Sequence, residues 1–382
     1  MRYRVTALSP LLVGDGRRLS PIDYMVWKDQ VSVLDQRRIF RLLAKGPRLE
    51  GYLLQLKRAD KLDFASWGGF AQNYADRRLP FESPAYSAVW NRASGDSLQI
   101  PTFAAGVAGP YLPGAALKGA LRTAWLYGSL KPEILEQLAR GIRNERVLRN
   151  PGEALEERLL GDPGQDRMRW LAAGDSVPQQ YANFKVYLLR TASLQTRGGA
   201  LSLGWKQSPR GTADGRRPEE GTPAFAEMAS SGTAFEGAWS EREFFAQPEV
   251  RRALGWPQGS ARARLFEAAN EYAAALLALH RTYAETARLD EVGRAVGNLE
   301  ERLAAARAAG ACLVCLGWGG GLLSKCSWLD TSAPAYRETL RALALYQAAL
   351  LAGLPFPKTR RVVFLNNQPS TLAGWALLEI MA

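Results

Sequence analysis

The sequence predicts an α+β protein with helices packed on one face of antiparallel sheets. Short strand-like segments mix with amphipathic helical segments in both halves of the chain, an order typical of split β-α-β folds and not of a doubly wound parallel sheet. The chain has 382 residues, of which 47% are hydrophobic, and this length exceeds what most single cores hold. We therefore expect two domains, residues 1–205 and residues 206–382, each with inserted helices.

The predicted elements of the N-terminal half come from local patterns in the chain. Residues 3–8 alternate and predict a first strand, and residues 31–34 form a β-branched run that predicts a second one. Asp35 is placed to cap a helix over residues 36–44. Residues 115–127 carry their apolar side chains on one side, which predicts a further helix.

The C-terminal half predicts a loop, a hairpin and several helices. Residues 208–222 hold almost no apolar residues and predict an exposed, mobile loop. Residues 223–239 alternate loosely and predict a hairpin around Ser230, Ser231 and Gly232. The remaining predicted elements are strands at 184–189, 312–316, 361–365 and 375–380 and helices at 261–289, 290–309 and 336–352.

The charge balance favours a polyanionic partner. Lys and Arg number 49 against 37 Asp and Glu, a formal net charge of +12, and Arg side chains suit fork-shaped contacts with phosphates. A basic surface without any ligand is the alternative. The sequence has no uninterrupted apolar stretch of about 18 residues and no apolar signal region at its start, so we expect a cytoplasmic protein.

A glycine-rich segment is the most specific local signal. Four glycines follow the strand predicted at residues 312–316, namely Gly317, Gly319, Gly320 and Gly321. Glycines allow positive φ and close approach of the backbone, successive N–H groups can hold a phosphate, and Lys325 adds a positive charge. The segment has neither the ending of a P-loop nor the third glycine of a dinucleotide fingerprint. A tight loop needed only for packing is the alternative.

Three further segments place cations beside glycines or predicted strands. Gly114 opens the helix at residues 115–127, whose Lys118 and Arg122 lie four residues apart on one face and could hold an anion near the positive helix end. The other two segments, after the first strand and before the strand at 361–365, contain Gly14, Gly16, Arg17 and Arg18, and Lys358 and Arg360. A solvated basic face is the alternative for each segment.

Catalytic signatures are scarce in the sequence. His280 is the single histidine, which excludes the two-histidine acid–base pair of many metal-free ribonucleases. Cys312 and Cys315 would point to opposite faces of a strand, with only Cys326 nearby, so we expect no zinc site and no other metal or cofactor. Loop carboxylates such as Asp15 could in principle serve a metal-assisted nuclease.

These segments together resemble the RAMP superfamily, the repeat-associated proteins of CRISPR systems. The hallmark of that superfamily is a glycine-rich loop of pattern G-hydrophobic-G near the C-terminus, which Gly317-Trp318-Gly319 matches. The segment at residues 113–122 is similar to the element P-G-x-x-L-K-G-x-x-R that type III RAMP subunits share. Pro21-Ile22-Asp23-Tyr24 and Pro357-Lys358-Thr359-Arg360 resemble the Csm-five family of type III-A complexes in particular.

The resemblance implies two ferredoxin-like (RRM-type) domains with helical insertions and a non-catalytic role in binding CRISPR RNA (crRNA). It implies a place at the end of the Csm-three backbone filament, near the 3′ part of the crRNA, and a role in crRNA maturation for antiviral defence. The implied partners are crRNA and other Csm subunits, without a membrane, and the glycine-rich and basic segments are the candidate RNA-binding residues. The alternatives are a RAMP ribonuclease that processes crRNA or cleaves target RNA, and a structural subunit whose basic surface contacts only neighbouring proteins.

Overall fold

The computed structural model has the α+β architecture that the sequence predicts. It describes residues 1–58, 61–62, 73–144, 153–162, 164–208, 214–347, 350 and 354–381. The strands in these ranges are β1 (Arg2–Ala7), β2 (Arg18–Leu19), β3 (Tyr24–Trp27), β4 (Gln30–Leu34), β5 (Ala75–Pro80), β6 (Ile100–Pro101), β7 (Ala105–Gly106), β8 (Gly109–Pro110), β9 (Leu171–Ser176), β10 (Phe184–Arg197), β11 (Ala200–Trp205), β12 (Ala224–Ala229), β13 (Ala234–Glu241), β14 (Cys312–Cys315), β15 (Thr359–Leu365), β16 (Gln368–Leu372) and β17 (Trp375–Met381). The α-helices there are α1 (Gln36–Leu43), α2 (Leu49–Arg58), α3 (Tyr86–Arg92), α4 (Gly114–Ser129), α5 (Pro132–Asn144), α6 (Glu153–Leu160), α7 (Pro248–Ala253), α8 (Ala261–Ala287), α9 (Asp290–Ala308), α10 (Pro334–Ala342) and α11 (Ala344–Gln347).

The first large sheet has the strand order β14-β17-β1-β13-β9, and all neighbouring strands are antiparallel. In chain order, and with other elements inserted between them, β1, α4, β9, β13, α8 and β17 form the pattern β-α-β-β-α-β. A split β-α-β unit produces this order of four strands, with β14 added at one edge. The predicted class is therefore confirmed, whereas a second ferredoxin-like unit stays a prediction.

Helices α4 and α8 connect this sheet to the rest of the molecule. The Asn270 side chain of α8 donates to the carbonyl of Ala311 at 2.9 Å and accepts from the N–H of Leu313 at 3.1 Å, so it fixes the helix against β14. Tyr127 of α4 and Tyr272 of α8 pack edge to face, with ring centroids 5.4 Å apart. These contacts hold the two long helices side by side.

The second large sheet is built around β10. Strand β15 pairs with one side of β10, and β16 follows β15; β11 and β12 pair with the other side of β10 at its two ends. Each large sheet takes strands from before and after residue 205, and one continuous buried cluster extends across both. The boundary predicted between residues 205 and 206 thus does not separate the sheets, and the division of the chain into two domains stays a prediction.

The hairpin predicted at residues 223–239 is wrong, because its two strands join different sheets. Strand β12 pairs with β10, and β13 pairs with β1 and β9. The turn between them is a corner in which the N–H of Gly232 donates to the carbonyl of Ala7 at 2.7 Å. Alternation of apolar residues identifies a strand but not its partner.

Two other expectations are only partly met. The helix predicted at 336–352 is interrupted, since α10 ends before Leu343 and α11 is a separate short helix; residues 348–349 and 351–353 lie outside the described residues. In the loop predicted at 208–222, residues 209–213 also lie outside them. The described part of that loop is tied to the fold, because Gly215 forms a two-way backbone bridge with Trp205.

The capping role predicted for Asp35 is confirmed. The Asp35 side chain accepts from the N–H of Arg38 at the start of α1, and Gly310 has φ of +68° just after α9.

Within the described ranges, no helix combines the length and apolar character needed to cross a bilayer.

Candidate nucleic-acid interface

A cleft of about 550 Å³ lies where the loop after β1, helix α4 and the turn after β14 meet. Six residues predicted from the sequence line this basic cleft, namely Gly14, Gly16, Arg17, Arg18, Gly317 and Lys325. The chain thus brings together residues that lie about 300 positions apart.

Glycine 317 allows the first wall of the basic cleft to form. Its φ is +71°, and a Cβ there would overlap the carbonyl oxygen of Leu12. The next residue, Trp318, donates its backbone N–H to that same carbonyl at 2.7 Å. A side chain at position 317 would therefore separate the turn after β14 from the N-terminal loop.

The N-terminal loop is anchored on its other side as well. The N–H of Thr102 donates to the carbonyl of Arg17 at 3.2 Å, and Arg18 pairs with Pro101 between β2 and β6. A Cβ at Gly14 would lie 2.9 Å from the carbonyl oxygen of Thr102, so this glycine also permits a close backbone approach. The position of the two arginines is set by backbone contacts on both sides.

Helix α4 forms the floor of the basic cleft with small side chains. The face of α4 that lines the cleft consists of Ala116, Gly119, Ala120 and Thr123. These positions follow helical spacing, and a Cβ at Gly119 would meet no atom within 4 Å. The small residues leave room for a ligand chain above the helix.

The cations of the basic cleft differ in whether they have partners. Arg17 pairs with Asp15, with Nε 3.3 Å from Oδ2. Arg18 and Lys325 are exposed, and their side chains make no hydrogen bond or ion pair with any residue in the described ranges. Two positive charges at the cleft thus have no ion-pair partner among the described residues.

A smaller cavity of about 170 Å³ lies beside the turn at residues 317–321, which we call the glycine turn. We call it the rear cavity; it is lined by Gly319, Gly320, Gly321, Arg360 and Arg361, among others. Gly319 and Gly321 have positive φ and Gly320 does not. The backbone N–H groups of these three glycines donate to no acceptor among the described residues. Backbone N–H groups without an acceptor, beside Arg360 and Arg361, make this cavity a candidate anion site.

Arg360 is held by neutral partners. Its Nε donates to Nδ1 of His280 at 3.1 Å, and its Nη1 donates to the carbonyls of Pro357 and Thr359. Burial lowers the pKa of Arg360 to about 10, so the guanidinium stays charged at neutral pH. His280 is buried, and burial keeps its pKa well below the usual value, so the imidazole is neutral and can accept.

Gly114 lies at a closely packed helix start, and its role in RNA binding stays a prediction. Its N–H donates to Oδ1 of Asp175 at 2.9 Å, so a carboxylate of the protein already occupies the helix N-terminus. A Cβ at Gly114 would overlap the carbonyl oxygens of Ala173 and Gly174 in β9. The anion site expected at the start of α4 is therefore filled by the chain itself.

Lys118 and Arg122 also lie outside the basic cleft. The Nζ of Lys118 donates to the carbonyl of Leu171 at 2.8 Å, and burial lowers the pKa of this lysine. Arg122 contacts Oδ2 of Asp166 at 2.5 Å and Oε2 of Glu156 at 2.8 Å. The two residues do share one face, as predicted, but that face packs against β9 and α6.

The last predicted residue, Lys358, lines neither cavity. Its carbonyl accepts from the N–H of Leu194 at 2.9 Å, which fixes the start of β15.

Two residues next to predicted ones were missed as site residues. Trp318 lies between two glycines and lines the basic cleft, and Arg361 follows Arg360 and lines the rear cavity. An aromatic residue between glycines and a doubled arginine were the available signals.

Two loop aspartates have local partners. Asp15 accepts from the N–H of Arg17, and Asp23 accepts from Ser20 and Gln36. In the described ranges, no three or more Asp, Glu, His or Cys side chains converge to hold a metal ion.

Comparison with known proteins identifies the family of this chain. A chain from the structure described as "Cryo-EM structure of Csm-crRNA-target RNA ternary complex in type III-A CRISPR-Cas system" superposes with a TM-score of 0.68 at 22% identity, covering 99% of this chain and 100% of that one. The crystal structure of Csm5 from T. onnurineus gives a TM-score of 0.64 at 20% identity, covering 98% and 99%. At these identities the likeness establishes a shared fold. No curated protein matches the sequence. The model of the RAMP superfamily matches residues 4–324, so this chain belongs to the RAMP superfamily.

Proposed function

We propose that this chain is a crRNA-binding subunit of a type III-A CRISPR effector complex, and that the RNA backbone lies in the basic cleft. The observation that carries the proposal is the pair Arg18 and Lys325, exposed at one cleft and without protein partners in the described residues. Unpaired cations beside a glycine turn are what a phosphate chain requires. The rear cavity offers further N–H groups and Arg360 to an adjacent phosphate.

The cleft suits backbone binding and leaves the base sequence unread. Cations and backbone N–H groups contact phosphates, which carry no sequence information. Base pairing between guide and target can then supply specificity, as in other RNA-guided complexes. Little preference among unrelated RNA sequences is expected as a result.

We infer the place of the chain in a complex with support from its structural neighbours. Superposition along the whole chain with a subunit of a Csm–crRNA–target RNA complex and with a Csm5 supports a Csm5-like role. The partners are then crRNA and other Csm subunits, with the Csm-three backbone first among them. We place the chain at the end of that filament, near the crRNA 3′ end, where it is needed for crRNA maturation.

The proposal assigns no cleavage chemistry to the chain. The carboxylate of Asp15, next to the cleft-lining Gly14 and Gly16, is engaged by Arg17. Labelled RNA incubated with the purified protein, with and without Mg²⁺ or Mn²⁺, is expected to stay intact. Cleavage that depends on metal and disappears on Asp15→Asn would replace the binding role with that of a ribonuclease.

The decisive experiment removes the two uncompensated charges. Arg18→Gln with Lys325→Gln should weaken binding of unrelated single-stranded RNAs at least about tenfold and lower the salt slope by about 0.7 per lost phosphate contact. Fluorescence anisotropy of labelled RNA across a salt series measures both quantities.

A charge-matched control distinguishes a site from overall charge. Arg252→Gln with Arg302→Gln removes two exposed cations on α7 and α9 that do not line the basic cleft. This control should bind RNA almost as the unchanged protein does. Equal losses in both double variants would mean that net charge, and not the cleft, binds RNA.

A further inference from the structure

Trp318 stands between the basic cleft and the rear cavity. The residues that line the basic cleft include Trp318 but not Arg361, and those that line the rear cavity include Arg361 but not Trp318. The guanidinium carbon of Arg361 lies 4.0 Å from the centre of the indole ring. Arg361 therefore covers the ring from the side of the rear cavity, and the indole borders the cleft.

The indole is held in place but not enclosed. The Trp318 backbone bridges to Leu12, the guanidinium of Arg361 fixes the ring from behind, and the side chain is only half-buried. In the described part of the chain, Trp318 has no ring–ring contact, and its indole N–H makes no hydrogen bond. The indole packs partly against the hydrophobic core and against Arg361, and its exposed part borders the same cleft as Arg18 and Lys325.

We propose that Trp318 is a stacking platform for one unpaired base of the RNA in the basic cleft, an inference that rests on the proposed function. Aromatic rings beside a basic groove bind single strands because every base has a π-face. The cation–π contact from Arg361 holds the ring before RNA arrives, which reduces the side-chain entropy lost on binding. The ligand is accordingly a single strand with a base turned out of its stack, and not a continuous duplex.

The test compares RNA with and without bases. The probes are a fluorescently labelled oligouridine RNA and a chain of the same length and charge whose ribose units carry no base. The unchanged protein should bind the oligouridine roughly tenfold more tightly than the abasic chain. Trp318→Leu should remove this difference and Trp318→Phe should keep most of it, while both retain the salt slope.

Each outcome has one meaning. A wild-type affinity ratio near one, or a ratio that Trp318→Leu leaves unchanged, would overturn the stacking role while leaving the proposed function in place. If the unchanged protein shows no salt-dependent binding of either probe, both the proposed function and the stacking role of Trp318 are overturned.

A second measurement does not depend on how the variants fold. Ultraviolet irradiation of the unchanged protein with RNA containing 5-bromouridine should crosslink Trp318, and peptide mass spectrometry would locate the site. Crosslinks confined to residues other than Trp318 would contradict the platform.

Discussion

Helix α4 lies beside two groups of cations that have the same charge and different partners. On the cleft side, Arg18 and Lys325 have no hydrogen bond or ion pair with a described residue. Away from the cleft, Lys118 donates to a backbone carbonyl and Arg122 contacts two carboxylates. A cation that is already balanced contributes to the fold, and one that is not can contribute to binding. If the proposed function holds, the partners of a cation, and not its charge or spacing, distinguish a binding residue from a structural one.

Arg77 is the extreme case of a balanced cation. Its Nη1 lies 2.6 Å from Oε1 of Glu227, whose side chain is 0% exposed, and its guanidinium also stacks on Tyr181. Arg77→Ala would leave a buried carboxylate alone, so the free energy of unfolding should fall by about 3–5 kcal/mol. Urea denaturation followed by circular dichroism measures the change.

A double variant sharpens this prediction. Arg77→Met with Glu227→Leu removes both charges and fills their space, so it should lose less stability than Arg77→Ala alone. A double variant that loses as much free energy of unfolding as Arg77→Ala, or more, would show that the two charges are not coupled. That result would weaken the contrast between the two groups of cations.

Two glycines of the turn give the next largest effect. Gly317 and Gly321 have nearly equal φ of +71° and +72°, but a Cβ overlaps Leu12 only at position 317. Gly317→Ala should cost about 3 kcal/mol of stability and reduce RNA affinity, whereas Gly321→Ala should cost about 1 kcal/mol for the left-handed backbone alone. Thermal unfolding of both variants tests whether the close approach of the backbone, and not the positive φ, makes glycine necessary at position 317. Equal losses of stability in the two variants would mean that φ alone explains the requirement.

The sequence predicts the local parts of this site better than their assembly. The glycine turn and the Asp35 cap follow from short patterns, because backbone conformation depends on neighbouring residues. The convergence of Gly14 on the turn at Gly317 depends on how β1, β17 and β14 pair, which no local pattern specifies. The contact between Gly114 and Asp175 was not predicted for the same reason, since Asp175 reaches Gly114 from a distant strand.

His280, one of the neutral partners of Arg360, should make the free energy of unfolding depend on pH. Burial lowers the pKa of His280 in the folded protein, while the unfolded chain keeps a pKa of about 6.5. Below that pH the unfolded state binds one more proton, so the free energy of unfolding should fall by up to about 1.4 kcal/mol per pH unit as the solution is acidified. Protonation would also remove the acceptor that Arg360 uses.

The chain has one histidine, which makes the control simple. His280→Gln keeps an acceptor for Arg360 and removes the titration, so its unfolding free energy should fall less steeply between about pH 6.5 and 5. Carboxylates contribute equally to both proteins, and the difference between the two slopes isolates His280. Parallel slopes would mean that His280 is protonated in the folded state.

The smallest expected effect is the most direct test of the comparison. Arg122→Gln removes two partly exposed ion pairs and should lower the free energy of unfolding by about 1 kcal/mol. Because Arg122 already contacts Asp166 and Glu156, its loss should leave both RNA affinity and salt slope unchanged. The measurement is the same anisotropy series used for Arg18 and Lys325. A salt slope that falls as far in Arg122→Gln as in the cleft variant would show that RNA displaces those carboxylates, and a partnered cation could then no longer be assigned to the scaffold.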